Sequence, residues 1–145
     1  MKFTGERFIP TVNDTDDEIK IEHLQRYDAI KELVTNKIVL DAACGEGYGT
    51  DMLATYASRA FGLDIDKETI QHAQQVYKKD NLEYLVGSVE KLPFEDNYFD
   101  MVVSFETIEH VDETIQRKFL TEIKRVLKSG GQLIISTPNK KIYSD

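Results

Sequence analysis

Ile38-Val39-Leu40-Asp41-Ala42-Ala43-Cys44-Gly45-Glu46-Gly47-Tyr48-Gly49 decides how the rest of the chain is read. It opens as an apolar run with β-branched residues, the pattern of a buried strand. It closes on glycines at alternate positions, where bare backbone can meet a ligand. Thr50 to Ala57 follows, with the apolar pairs Met52/Leu53 and Tyr56/Ala57 at helical spacing. Strand, glycine turn and helix form the ligand-binding start of an open α/β sheet.

Outward from that turn, the same alternation repeats. Ile21 to Val34 carries Ile21, Leu24, Tyr27, Ile30, Leu33 and Val34 near one helical face, flanked by His23 and Arg26. Ala60-Phe61-Gly62-Leu63 is a second strand ending in Asp64-Ile65-Asp66, with Asp66 the expected N-cap of a helix from Lys67 to about Lys79. Leu82 to Val86 is a third strand, Gly87 to Phe94 a loop, and Phe99 to Phe105 a fourth strand. The stripe Ile115, Phe119, Ile123, Val126 and Leu127 predicts a helix from Asp112 to Lys128, ended by Gly130-Gly131. Gln132 to Thr137 is a fifth strand. Strands alternating with helical crossovers predict a Rossmann-like α/β fold: an open, mostly parallel sheet of about five strands with helices on both faces. The polar residues then collect at the carboxyl rim: Asp41 to Gly49, Asp64, Gly87 to Glu90 and Ser104 to His110.

Composition bounds the rest. A chain of 145 residues suits one domain with a core of its own. Residues 1–20 read as an N-terminal arm, acidic at Asp14 to Glu18 and anchored by Phe3, Phe8 and Ile9; residues 21–145 read as the domain. A net charge of −8 argues against general affinity for nucleic acid or anionic lipid. No apolar run approaches the roughly 18 residues of a membrane span, and the N-terminus lacks a signal-peptide pattern, which predicts a cytoplasmic protein. One cysteine and three histidines offer no recognisable zinc spacing, so no metal is expected.

The choice of cofactor turns on charge. In the dinucleotide pattern G-x-G-x-x-G a third small residue would stand at Thr50. A diphosphate also favours a helix start free of anions, and this turn carries Asp41 and Glu46. The same carboxylates suit a cation without phosphate, such as the sulfonium and ammonium of S-adenosylmethionine. Gly45 and Gly47 would admit its methionine part, Asp41 would orient the turn or meet the ammonium, and Asp64 would accept from both ribose hydroxyls.

Val39 to Gly47 resembles the first motif of the class I S-adenosylmethionine-dependent methyltransferases, V-L-D-x-G-C-G-x-G, with Ala43 at the first glycine. Gly62 to Asp66 is similar to their second motif. Ser88 to Phe94 with Phe99 to Ser104 is similar to D-x-E-x-L-P-F … F-D-x-V, with Ser88 for the aspartate. Glu122 to Gly131 is similar to E-x-x-R-V-L-K-P-G-G, with Ser129 for the proline. The resemblance covers about residues 21–139, and Phe3 to Pro10 with Glu22 to Tyr27 resembles a subgroup of glycan and cell-envelope assembly.

It implies S-adenosylmethionine as cofactor, S-adenosylhomocysteine as product, and a small-molecule or glycan-related acceptor with a hydroxyl. It implies cofactor contacts at Arg26, Asp41, Ala43, Gly45, Glu46, Gly47, Asp64, Ile65, Ser88, Val89 and Ser104, Arg26 pairing the methionine carboxylate and the Val89 amide meeting adenine. After the fourth strand, His110 is the candidate base and Glu106 a candidate on the sulfonium side, each with a structural alternative. Cys44 reads as a small wall residue. The family fold continues to a terminal antiparallel strand pair that the chain is expected to lack. Leu133-Ile134-Ile135 would then be an open apolar edge, covered by a second copy or a further segment. A cofactor-binding fragment or regulatory module of a longer protein is therefore the alternative to a complete enzyme.

Overall fold

The computed structural model describes residues 21, 22, 24–105, 112–136 and 142–144, with backbone alone for 136 and 142–144. The expected N-terminal arm lies outside the described residues. Six strands form one sheet: β1 (Ile38–Ala42), β2 (Arg59–Asp64), β3 (Leu82–Val86), β4 (Phe99–Phe105), β5 (Leu127–Ser136) and β6 (Ile142–Ser144), in the order β3-β2-β1-β4-β5-β6. The first five are parallel and β6 is antiparallel to β5. The helical segments are α1 (24–29), α2 (Tyr48–Ala54), α3 (Lys67–Val76) and α4 (Glu113–Val126). From β1 the chain steps outward to β2 and β3, then crosses to β4 on the other side of β1. That reversal is the switch point where such sheets bind ligands.

Register sorts the core. Tyr84, Gly62, Asp41, Val103 and Ile134 are partners across five strands and share one face. On that face Val103 and Ile134 pack with Tyr27, Ile30, Val34 and Leu53 from the α1 and α2 side, and Tyr84 packs with Ile70 and Ala73 of α3. The neighbouring row, Phe61, Leu40, Val102 and Leu133, packs with Phe119, Ile123 and Val126 of α4. The two-residue period of each strand thus sends alternate side chains to two helical layers.

The helix starts follow the expected chemistry. Asp66 caps α3 by accepting from Glu68 N and Thr69 N, and Asp112 caps α4 by accepting from Ile115 N. The ends differ from expectation. Regular helix in α1 stops at 29, and Ile21 and Leu33 are exposed while Tyr27, Ile30 and Val34 are buried. α3 stops at Val76. α4 stops at Val126, because Asn97 N and Tyr98 N bond the carbonyls of Arg125 and Val126 and draw the chain into β5. Gly130-Gly131 therefore ends no helix. Phe99 faces Leu127 and Met101 faces Gln132, so residues 128–131 bulge opposite Asp100, with Gly130 at φ 82°. The fifth strand is not the bare edge expected from the sequence: Ile142–Ser144 lies along Ile134 to Ser136.

Candidate functional site

The turn after β1 is held at both ends. Cys44 N bonds Leu63 O at 2.8 Å, and Gly47 N bonds Cys44 O at 3.2 Å. Tyr84 donates its hydroxyl to Gly47 O at 2.6 Å. Ala43 sits at φ 60° and Gly45 at φ 58°, both left-handed. For Ala43 that conformation carries strain of about 1 kcal/mol. Gly47, at φ 94°, has no alternative residue: a Cβ there would lie 2.9 Å from both Ala73 Cβ and the Tyr84 ring. A Cβ on Gly45 would meet nothing within 4 Å. Gly47 is thus packed against protein, and Gly45 fronts open space.

Asp41 is turned inward. It is 1% exposed, and its carboxylate accepts from the Tyr27 hydroxyl at 3.0 and 3.2 Å and from Thr50 Oγ1 at 2.7 Å. Burial, and then the Asp41 charge, pushes the Tyr27 phenol well above its usual range, so it remains a donor. The Tyr27 ring fills the space over Gly49, where a Cβ would come within 2.1 Å of it, and stands edge-on to Phe105 at 4.9 Å. Asp41 therefore joins α1, β1 and α2 from inside. Of the two anions that sequence reasoning paired at the turn, Glu46 alone is exposed.

Asp64 is turned outward. It ends β2, where it accepts from Gly45 N and Asp66 N, each at 3.1 Å and on separate oxygens. A carboxylate oxygen has two lone pairs, so each keeps one acceptor direction. Ile65 beside it is 73% exposed. Gly87 N bonds Asp64 O at 3.0 Å and brings the end of β3 to the same rim.

The remaining expected residues divide. Ser88 Oγ accepts from Glu90 N at 3.0 Å and Ser88 O from Lys91 N at 3.2 Å, a tight turn that carries Val89 half-buried against the core. Ser104, the last residue but one of β4, is fully buried, and among the described residues its hydroxyl has no partner. Arg26 is half-buried on α1, and its charge reaches the Tyr48 hydroxyl, whose pKa burial raises to about 12. Cys44 packs with Ile70, Ala73 and Tyr84, and burial pushes its thiol up, so it is a wall residue and no nucleophile. Glu106 and His110 lie outside the described residues. Among the described residues no group of three or more His, Cys, Asp or Glu could hold a metal ion, and no helix is long and apolar enough to cross a membrane. A groove of about 400 Å³ between α3 and β3, lined by Tyr77, Lys79 and Tyr84, includes neither Gly45 nor Asp64.

Sequence reasoning missed the residues that support this rim from a distance. Tyr27 was placed on a core stripe with no polar role, and its hydroxyl bond to Asp41 spans a gap no local pattern reveals. Tyr84 falls within the third strand, with no local signal for its bond to Gly47 O. Arg125, known only as part of a motif, bonds the loop between β3 and β4.

Comparison with known proteins agrees with the fold. Residues 40–135 match the family described as "Methyltransferase domain". A protein of Mycolicibacterium smegmatis named "probable S-adenosylmethionine-dependent methyltransferase" is 36% identical over 144 residues, covering 99% of this chain and 54% of that protein. The "fatty-acid O-methyltransferase" of the same organism is 34% identical over 122 residues, covering 81% and 44%. A crystal structure of a Pyrococcus horikoshii protein superposes with a TM-score of 0.72 at 33% identity, over 85% of this chain and 58% of that one. The chain spans about half the length of these relatives. It belongs to the class I S-adenosylmethionine-dependent methyltransferase family.

Proposed function

We propose that this chain binds S-adenosylmethionine at the carboxyl rim of β1, β2 and β4 and supplies the cofactor half of a methyl transfer to an oxygen of a small-molecule acceptor. Asp64 carries the reading. It keeps an acceptor direction on each oxygen, beside the open face of Gly45 and the exposed Ile65. Ribose hydroxyls fit the carboxylate, and an adenine face fits the isoleucine. The main chain at Gly45 and Ala43 would admit the methionine part. Ser88 and Val89 would form the turn at the adenine edge, and the buried hydroxyl of Ser104, without a partner among the described residues, would be a further donor. Arg26 would pair the methionine carboxylate.

A bound S-adenosylmethionine supplies an electrophilic methyl on a sulfonium. The chain's residues hold the donor in one orientation, and positioning of this kind accounts for much of the acceleration when the acceptor is nucleophilic. His110 is the proposed base for a hydroxyl acceptor, with Glu106 on the sulfonium side. Of the glycan-related acceptor expected from sequence and the fatty acid named for a relative, the lipid has the support of a matched protein. A dinucleotide fits less well: Glu46 is exposed at the turn, Asp51 lies in the first turn of α2, and Thr50 is spent on Asp41.

Titration calorimetry of the chain with S-adenosylhomocysteine and with NAD tests the reading. Binding of the first without the second supports it. NAD binding, or no binding of S-adenosylhomocysteine, overturns it. A His110→Ala variant that keeps the turnover of the wild type would remove the base.

A further inference from the structure

The loop between β3 and β4 begins at the proposed adenine turn, Ser88-Val89, and is fastened a few residues later by one side chain. Arg125 spends all five of its N–H groups there or on the residue that orients it. Nη2 donates to Leu92 O at 2.8 Å and to Glu122 Oε1 at 2.9 Å. Nη1 donates to Phe94 O at 2.8 Å and to Asp96 Oδ1 at 2.8 Å. Nε donates to Glu122 Oε2 at 3.0 Å. Glu122 in turn accepts from Leu92 N at 2.8 Å. Leu92 is thus held at both its N–H and its carbonyl, and its side chain is 2% exposed in the core beneath α4. Between this clamp and Val89 lie two residues, Glu90 and Lys91, the second of them bridged to Ser88. A displacement at Leu92 has little slack in which to die out before it reaches Val89.

We infer that Glu122 and Arg125 are positioning residues for base recognition: they fix the height of the Ser88–Val89 turn over the sheet and so set the preference for a 6-aminopurine. The inference rests on the cofactor reading above. Lysine cannot replace this arginine, because an ammonium is a point charge with three donors and cannot fork to two carbonyls and two carboxylates. Neither residue touches the cofactor rim, so the effect must travel through the loop.

The test compares S-adenosylhomocysteine with S-inosylhomocysteine, which carries a 6-oxo group, on the full chain by titration calorimetry. The variants are Arg125→Lys and Glu122→Gln, with Arg117→Ala, at an exposed pair with Glu113 on the same helix, as control. All are measured where circular dichroism shows them folded. The wild type and Arg117→Ala bind the adenosyl compound with a clear preference. Arg125→Lys loses about tenfold in affinity for it and most of the preference, and Glu122→Gln shifts both in the same direction by less. A purely structural clamp would lower Tm and leave the ratio of the two affinities unchanged in the folded variants; that result overturns the inference. A wild type that binds neither compound removes the cofactor reading and this inference with it.

Discussion

Asp41 and Asp64 stand at the ends of neighbouring parallel strands and are put to opposite uses. Asp41 is closed in by two hydroxyls, from Tyr27 and Thr50. Asp64 is held by two backbone N–H groups, from Gly45 and Asp66, and remains partly open. Strand register explains the difference. Asp41 lies in the row of Gly62 and Tyr84, on the face that α1 and α2 cover. Asp64 lies beyond the last residue of β1 and has only the rim to face. A carboxylate inside needs donors supplied by side chains from other elements, and a carboxylate at a strand end can be fixed by the turn it begins. The first is spent inside the turn, and the second keeps acceptor directions open at the rim.

The largest effect should come from Asp41. Asp41→Ala leaves the Tyr27 and Thr50 hydroxyls buried without an acceptor, at a cost of about 3 kcal/mol. Urea unfolding should show it as a lowered midpoint, and an unchanged midpoint would put Asp41 in the same class as Asp64. Tyr27→Phe removes one donor and keeps the ring over Gly49. It should cost about 2 kcal/mol, since the lost hydrogen bond goes to a charged group, and a loss as large as that of Asp41→Ala would mean that Thr50 contributes nothing. Ala43→Gly tests the turn from the backbone side. Relief of the left-handed strain should raise stability by at most about 1 kcal/mol, visible as a higher Tm.

A third carboxylate, far from the rim, provides the smallest effect and a contrast in pH. Hydrogen bonds from Arg125, partly offset by burial, hold Glu122 below its usual range. Folding therefore gains from the ionised form above the ordinary glutamate pKa. The gain disappears as pH falls through the lowered value. The stability difference between wild type and Glu122→Gln should be constant near neutrality and shrink in acid; a difference that grows in acid would contradict the pairing.

The parts legible in the sequence were those governed by local pattern. The strands β1, β3 and β4 fall where apolar runs place them, Asp66 caps α3, and Gly45 and Gly47 mark the turn. The C-terminus of α4 was misjudged because Val126 and Leu127 continue an apolar stripe. What stops the helix is a pair of backbone bonds from Asn97 and Tyr98, far earlier in the chain. Asp41 reads from the sequence as a turn-orienting residue or an ammonium partner, and the Tyr27 hydroxyl that it accepts from lies on a separate helix, outside any local pattern. Arg125 was visible as a motif, yet its three loop partners, Leu92, Phe94 and Asp96, are brought to it only by the packing of α4 over the loop. Side-chain bonds across long separations leave no periodicity to read.

The most direct measurement is the affinity of Asp64→Asn for S-adenosylhomocysteine, read beside its Tm. The division of labour predicts a folded protein with little change in Tm and an affinity reduced about tenfold or more, since asparagine no longer offers a charged acceptor to each ribose hydroxyl. An affinity equal to that of the wild type would contradict the assignment of Asp64 and, with it, the proposed cofactor site.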